Sequence, residues 1–583
     1  MFDSPFIARG AVTASDEFFR ISGLPRRTWQ DPDAEALADQ LTLQLRTANG
    51  TMTLRPGQAV MLYEAWTAGG LFCSGAVSCG KTLPAFLLSR VLQAQRPVLM
   101  APSKLHRRKT GKELIELSQH WDFGSAPIKL LNYETLGVVA NKGSLEDLAP
   151  DLLILDEVHK LANPKASRTR RVQRYLRAHP ECKVCAFSGS TIKRSIKDYA
   201  HILEWCLGLG SPLPVHSRRA VLEEWDLALA EKLDMSMRIE PGALLQWCEP
   251  GEIEEHGPTK AARRAYSRRL SQTPGVVCLK TVGVDAEVEI EEIVPIHAEG
   301  GPVDEAFHTL RAAWELPDGQ ELVEGCEVYR HAREIGLGFY YRWRVPAPKV
   351  WLEKRKAWGA WCREKLSGSR TFDSPDDVAQ AFPRQPELLE WRAVRDSYKP
   401  ETTLVWIDTS VLRLCVQWLK DHDGIAATEH SQFGEALAKM ADVPYFGAGG
   451  VDFLGRSIED FEGRSCVASI AANGEGRNLH KRLNARGRLV GFDQMLICSP
   501  PPNGPIWEQL LGRLHRTGLL TKLCKYWVIM GCREQNTAFW QALRDAENCA
   551  RDLNGEEPKL TIADITATPL EDQPSGWCWG NVK

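Results

Sequence analysis

The stretch Leu71-Phe72-Cys73-Ser74-Gly75-Ala76-Val77-Ser78-Cys79-Gly80-Lys81-Thr82 decides how this chain is read. Its last eight residues run Gly-x-x-x-x-Gly-Lys-Thr, the spacing of a phosphate-binding loop. Leu71 to Ser74 is a short apolar run suited to a buried strand, and Leu83 to Leu92 has helical spacing. A strand, a glycine-rich turn and a helix start aim several backbone N–H groups and the positive end of the helix dipole at one anion. Gly75 and Gly80 would let the backbone curl close to phosphate oxygens. Lys81 is expected to reach the β- and γ-phosphates and Thr82 to hold Mg²⁺ through its hydroxyl, with Ser78 among the loop's nucleotide contacts. An ordinary strand-to-helix turn has the same local pattern, so the decision rests on the rest of the chain.

The 583 residues are enough for several domains. A hydrophobic share of 43% and a charged share of 25% describe an ordinary globular protein, not a disordered or fibrous one. No run of about 18 apolar residues occurs, so no membrane span is expected. The start, Met1-Phe2-Asp3-Ser4-Pro5-Phe6, lacks the basic and apolar regions of a secretory signal. Sixteen cysteines without framework spacing suit a reducing cytoplasm. Cys182 and Cys185 have the spacing of half a zinc site, but no second pair with suitable spacing follows. A net charge of −3 argues against a globally basic nucleic-acid coat while leaving room for a local basic groove.

Outward from the loop, further strands are expected at Pro97–Pro102, Ile128–Tyr133, Asp151–Glu157 and Lys183–Thr191. Leu152-Leu153-Ile154-Leu155 is apolar throughout, as in a parallel sheet buried on both faces. Asp156 and Glu157 are the C-terminal end of that expected strand, where open α/β sheets bind ligands. A second α/β pattern is expected to start at Thr402–Ile407, with strands at Pro444–Phe446, Ser465–Ile470, Gln494–Cys498 and Tyr526–Met530. The expected fold is α/β: two parallel-sheet lobes in tandem, at 51–235 and 401–550, with a linker and mostly helical, aromatic-rich insertion over 236–400. Residues 1–50 would be an extension and 551–583 a polar tail.

The chemistry follows from charge. Hydrolysis of a bound nucleoside triphosphate needs a metal held near the loop and a group that orients water; Asp156 fits the first role and Glu157 the second. Negative charge spreads over the transferred phosphoryl group, so arginines stabilise the transition state. Arg513 and Arg516, three apart in Gln509-Leu510-Leu511-Gly512-Arg513-Leu514-His515-Arg516-Thr517-Gly518, share one helix face and fit that role.

Through an ordered set of motifs, the chain resembles the superfamily 2 helicases and translocases. Gln58, the loop, Asp156-Glu157-Val158-His159, Ser188–Thr191, Gly474-Glu475-Gly476-Arg477-Asn478-Leu479 and Gln509–Arg516 match that group's motifs in order. The likeness covers about 54–200 and 402–530. It is nearest to the Swi/Snf-type DNA translocases through Asn132-Tyr133-Glu134-Thr135-Leu136, Asp156–Lys165 and Gly512–Gly518. Ser-Gly-Ser-Thr at 188–191, Arg477 and Leu519 depart from that branch. The tryptophan-rich middle resembles insertions in phage-encoded members.

The resemblance implies two RecA-like lobes that bind ATP between them, and an ATP- and Mg²⁺-dependent motor acting on DNA. It implies that Gln58, with Arg55 nearby, reads the adenine. His159, Ser188 and Thr191 would couple the ATP site to nucleic acid. Gly476 and Asn478 would contact nucleotide or backbone, with Gln509 in the coupling set. Ser103 and Lys104 open a basic run to Lys109 that, like Lys165–Arg171, would either touch phosphates or be a solvated face. Aromatics at 338–364 would either stack bases or form a small helical core. An RNA helicase, the motor subunit of a larger replication, recombination or repair assembly, and an inactive scaffold are the rival readings. Asp-Glu-Val-His leans away from the DEAD-box RNA group, and five intact motor residues lean away from a scaffold.

Overall fold

The computed structural model describes residues 10–569 apart from 28–30, 76–78, 103, 139–140, 142, 190–194, 216–217, 230–238, 280–283, 298, 323–324, 367–371, 373–374, 400, 474–476, 484–488, 553–554 and 556. Ser78, Ser103, Thr191 and Gly476 lie outside the described residues, as does the side chain of Lys104.

Six strands build the first sheet: β1 (Leu71–Gly75), β2 (Pro97–Ala101), β3 (Lys129–Asn132), β4 (Leu152–Leu155), β5 (Lys183–Ser188) and β6 (Val276–Leu279). They pair in parallel in the order β3-β2-β4-β5-β1-β6. Alternate residues serve opposite faces, as the strand period of two requires. Phe72, Val98, Met100, Leu153, Leu155, Val184 and Ala186 enter one core with Tyr133, Val172 and Tyr266. Leu71, Cys73, Leu99, Ile154, Cys185 and Phe187 enter the other with Met61, Phe86 and Leu87. Both faces are covered, which is why these strands read as continuous apolar runs.

The remaining strands are β7 (Glu287–Ile293), β8 (Phe339–Trp343), β9 (Thr402–Trp406), β10 (Ile425–Thr428), β11 (Tyr445–Phe446), β12 (Cys466–Ser469), β13 (Arg482–Leu483), β14 (Leu489–Val490), β15 (Gln494–Ile497), β16 (Leu523–Ile529) and β17 (Asp564–Thr566). Seven form a second parallel sheet in the order β11-β12-β10-β15-β16-β7-β17. Its core joins Ala426, Val467, Leu496 and Ile529 to Val411, Cys415 and Leu419 of the helix Ser410–Asp421 and to Phe433 and Leu437 of Ser431–Ala441. The two parallel sheets with their helices are the two RecA-like lobes expected.

Three expectations change. Thr402–Ile407 does not open the second parallel sheet; β9 pairs antiparallel with β8, leaving its residues half-exposed. The central strand β10, absent from the expected set, is Ile-Ala-Ala-Thr, whose small alanines give a weak apolar signal. The polar stretch after 551 is not all tail: β17 pairs with β7, and Lys559 is completely buried. The stretch 236–300 supplies a strand to each sheet, β6 to the first and β7 to the second.

The chain divides into two compact units, Met1–Val282 with Cys362–Phe382 and Asp545–Pro558, and Gly283–Trp361 with Pro383–Arg544 and Lys559–Lys583. Within the insertion, Trp351 packs edge-on against Trp391 and Tyr398, with ring centroids 5.2 and 5.3 Å apart. Trp351, Trp358 and Tyr340 are buried, so these rings serve packing. Among the described residues no helix is long and apolar enough to cross a membrane.

Candidate active site

At the C-terminal ends of the first sheet's strands, β1 runs into the phosphate-binding loop and β4 into Asp156-Glu157, with β5 between them. Gly80 has φ +84°, and a Cβ there would stand 2.7 Å from Nε2 of Gln58. A Cβ at Gly75 would stand 2.7 Å from Sγ of Cys79 and 3.4 Å from Cδ of Lys81. Neither glycine has room for a side chain, so Gly75, Gly80 and Lys81 close tightly at the described edges of the expected phosphate cradle.

Gln58 braces this cradle. Its Nε2 donates to the Gly80 carbonyl at 2.9 Å, and its Oε1 accepts from the Arg55 backbone N–H at 3.0 Å. Lys81 Nζ donates to the Gly75 carbonyl at 2.7 Å. Burial works against the Lys81 ammonium, but the neighbouring acidic groups of Cys79, Glu157 and Asp156 outweigh it and hold its pKa above the ordinary lysine value. Burial pushes the Cys79 thiol up, against the lowering pull of the Lys81 charge. Thr82 opens the helix Thr82–Val91, with its side chain exposed.

Glu157 is a non-glycine residue in the left-handed region, at φ +49° and ψ +52°. Such strain persists only where its surroundings hold it. The Glu157 N–H donates to Asp156 Oδ1 at 3.0 Å, and Asp156 N–H donates to the Met100 carbonyl of β2 at 3.0 Å. The hydroxyl of Tyr133, a completely buried ring, donates to the Asp156 carbonyl at 2.8 Å. His159 Nδ1 lies 3.3 Å from Glu157 Oε2 and 3.2 Å from Ser188 Oγ at the end of β5. His159 therefore bridges the ends of β4 and β5.

Thr82 and Asp156 offer hard oxygen donors of the kind Mg²⁺ takes, and the cradle with Lys81 suits a polyphosphate, so the residues present fit both groups. Zinc has no comparable support: among the described residues no cluster of three ligating side chains occurs. Cys182 is pushed up to about 12, chiefly by burial.

The basic run at 165–171 is largely engaged inside the first unit. Arg168 Nε donates to the Lys160 carbonyl at 2.8 Å. Arg170 donates to the carbonyls of Phe372 and Leu366 at 2.7 and 2.9 Å. The buried Arg171 donates to the carbonyls of Leu136 and Val138. These arginines join packed segments, a role that their run of charge did not reveal.

The second unit brings its motif residues together. Arg513 is buried, its Nε donating to the Gln509 carbonyl at 2.9 Å and its Nη1 to the Arg477 carbonyl at 2.8 Å. Arg516 donates to Asn478 Oδ1. Arg477, noted above only as a departure, is a buried strut. It donates to Ser457 Oγ at 3.0 Å and to the Gly449 carbonyl at 2.7 Å. A Cβ at Gly450, where φ is +67°, would fall 2.0 Å from the Arg477 guanidinium. His515 Nε2 donates to the Ala286 carbonyl at 2.8 Å, and Lys559 Nζ donates to His515 Nδ1 at 3.2 Å. Neither Lys559 nor Tyr133 carries a sequence signal for these contacts, because each partner is distant in the chain.

No protein-family model matches this chain, and no curated protein matches it. Among solved structures it is similar to the helicase Lhr of Mycobacterium smegmatis, whose structure holds single-stranded DNA and AMP-PNP. That likeness has 12% sequence identity and a TM-score of 0.37, over 90% of this chain and 51% of that one. The chain thus spans about half the length of that neighbour, and the site assignments rest on the contacts described above.

Proposed function

We propose that this chain is a nucleic-acid-dependent ATPase, a helicase-like motor that couples ATP hydrolysis to movement on DNA or its remodelling. The observation that carries the reading is the meeting, at one end of the first sheet, of the Gly75–Thr82 cradle with Asp156 and Glu157. Lys81 and the loop would bind the phosphates; Arg55 and Gln58 would border the base. Thr82 and Asp156 would hold Mg²⁺, which when bound neutralises phosphate charge. Glu157 would orient the attacking water and take its proton, and Arg516 would serve the transition-state charge, with Arg513 holding the turn that carries it. His159 would pass the state of Glu157 to Ser188 and so toward the nucleic acid, with Ser103, Lys104, Thr191, Gly476, Asn478 and Gln509 as further contact or coupling residues.

The finer reading, supported by the sequence stretches at 132–136, 156–165 and 512–518, is a phage-encoded translocase of the Swi/Snf type, acting in the cytoplasm with a replication, recombination or repair partner.

Steady-state ATPase activity, alone and with single-stranded, duplex or forked DNA or RNA at fixed salt, tests the reading. Stimulation by DNA and not RNA is expected, with Lys81→Ala and Glu157→Gln each lowering turnover by about 10³-fold or more. Stimulation by RNA alone would favour an RNA helicase. Full activity in Glu157→Gln would refute the water-orienting assignment.

A further inference from the structure

Glu157 must present its carboxylate from a backbone that L-residues avoid, at φ +49°. The peptide that leads into this φ is the one between Asp156 and Glu157, and its carbonyl is the group that accepts from the Tyr133 hydroxyl at 2.8 Å. If that peptide rotates, φ of Glu157 changes and the carboxylate swings away. Tyr133 comes from another part of the sheet: it follows β3 and opens the helix Tyr133–Gly137, while Asp156 follows β4. Strands β3 and β4 both flank β2, so Tyr133 reaches past β2's end to the carbonyl. The ring has no freedom to leave, because it is completely buried in the core with Leu136, Val158 and Leu161.

We infer that Tyr133 is a positioning residue: its hydroxyl pins the Asp156 carbonyl and thereby holds Glu157 in the left-handed turn from which it acts. This rests on the reading of Glu157 as the group that orients water. Tyr133 is suited to the task chemically: a carbonyl has no proton to give, so the hydroxyl is the donor of this bond, and phenylalanine at the same place could not make it. The neighbouring Thr135 hydroxyl bonds Asn132 Oδ1 instead, fastening the start of the helix without touching Asp156.

The test is Tyr133→Phe, which removes one oxygen and keeps the buried ring. Affinity for a non-hydrolysable ATP analogue should stay within about twofold of wild type, while kcat falls about tenfold or more. In a Glu157→Gln background the same change should cost little further, because both act through one group. Thr135→Ala, which loosens the helix start alone, should leave kcat unchanged. A Tyr133→Phe variant with wild-type kcat, beside an inactive Glu157→Gln, would overturn the inference. So would an equal loss in both backgrounds. Should the wild-type protein hydrolyse no ATP with any nucleic acid, the functional reading fails, and a crystal structure of Tyr133→Phe still decides the positioning claim. Departure of Glu157 from positive φ is expected; a Glu157 that keeps φ near +49° overturns it whatever the kcat.

Discussion

Gly80 shows how little room the nucleotide cradle leaves. Its φ of +84° is costly for any residue with a Cβ, and the added atom would press within 2.7 Å of the Gln58 amide that braces the loop. Alanine at this position must either shift Gln58 or flip the peptide, and each loosens the same turn. Gly80→Ala is therefore expected to lower ATP affinity by about tenfold or more, strain of this kind being on the order of 1–3 kcal/mol. Titration with a fluorescent ATP analogue reads it directly. Wild-type affinity in that variant would show that the loop is not the phosphate cradle. Gln58→Ala should give a smaller loss, since it removes a brace and not a phosphate contact. Glu157, unlike Gly80, carries a Cβ in the left-handed region, and neighbouring contacts fix the turn that the chemistry needs.

At the scale of elements, the turn that carries Arg513 and Arg516 separates two roles that the sequence pattern joins. Arg513 holds two backbone carbonyls inside the second unit, whereas Arg516 is half-buried and bonds a side chain. Arg513→Ala should cost about 2–4 kcal/mol of stability, because it strands buried acceptors and empties a packed site. Arg516→Ala should leave the melting temperature close to wild type and lower turnover by about 10³-fold. Thermal melts alongside ATPase assays separate the two; equal melting temperatures would contradict the strut role of Arg513. The same turn shows what was legible in the sequence. Gln509, Arg513 and Arg516 were legible because their spacing is local, as were the loop at 75–82 and the apolar run of β4. Arg477 was not, because its partners Gly449, Ser457 and Glu459 are loop residues brought to it only by folding. Tyr133 could be seen as part of a motif, but the carbonyl it pins belongs to another strand's end. Strand β10 failed on composition, and β9 failed because the same short apolar run suits a parallel strand or an antiparallel pair.

At the scale of the whole molecule, buried histidines tie the second unit's stability to pH. His430, His480 and His515, all in the second unit, are each lowered to about 4, with burial the leading cause. For His480 the Arg516 charge adds to burial, and for His515 the Lys559 charge does so. His297, in the same unit, is lowered by burial as well. Each is neutral in the folded chain, whereas the unfolded chain takes up a proton near pH 6.5. Their contribution to stability is therefore complete above pH 6.5 and is lost as pH falls from there toward 4. Depressed carboxylates such as Glu252, lowered to about 2 with its hydrogen bond to Arg268 the leading cause, lose their contribution only below the ordinary glutamate range. Glu292 and Glu429 are raised by burial and act in the opposite sense, but they are fewer than the histidines. Each histidine contributes a slope of at most about 1.4 kcal/mol per pH unit. Hydrogen exchange between pH 7.5 and 5.5, corrected for the intrinsic rate, should show peptides of the second unit losing protection as pH falls. In His515→Gln the second unit's loss of protection should be shallower with pH, and an unchanged slope in that variant would exclude His515 as a cause.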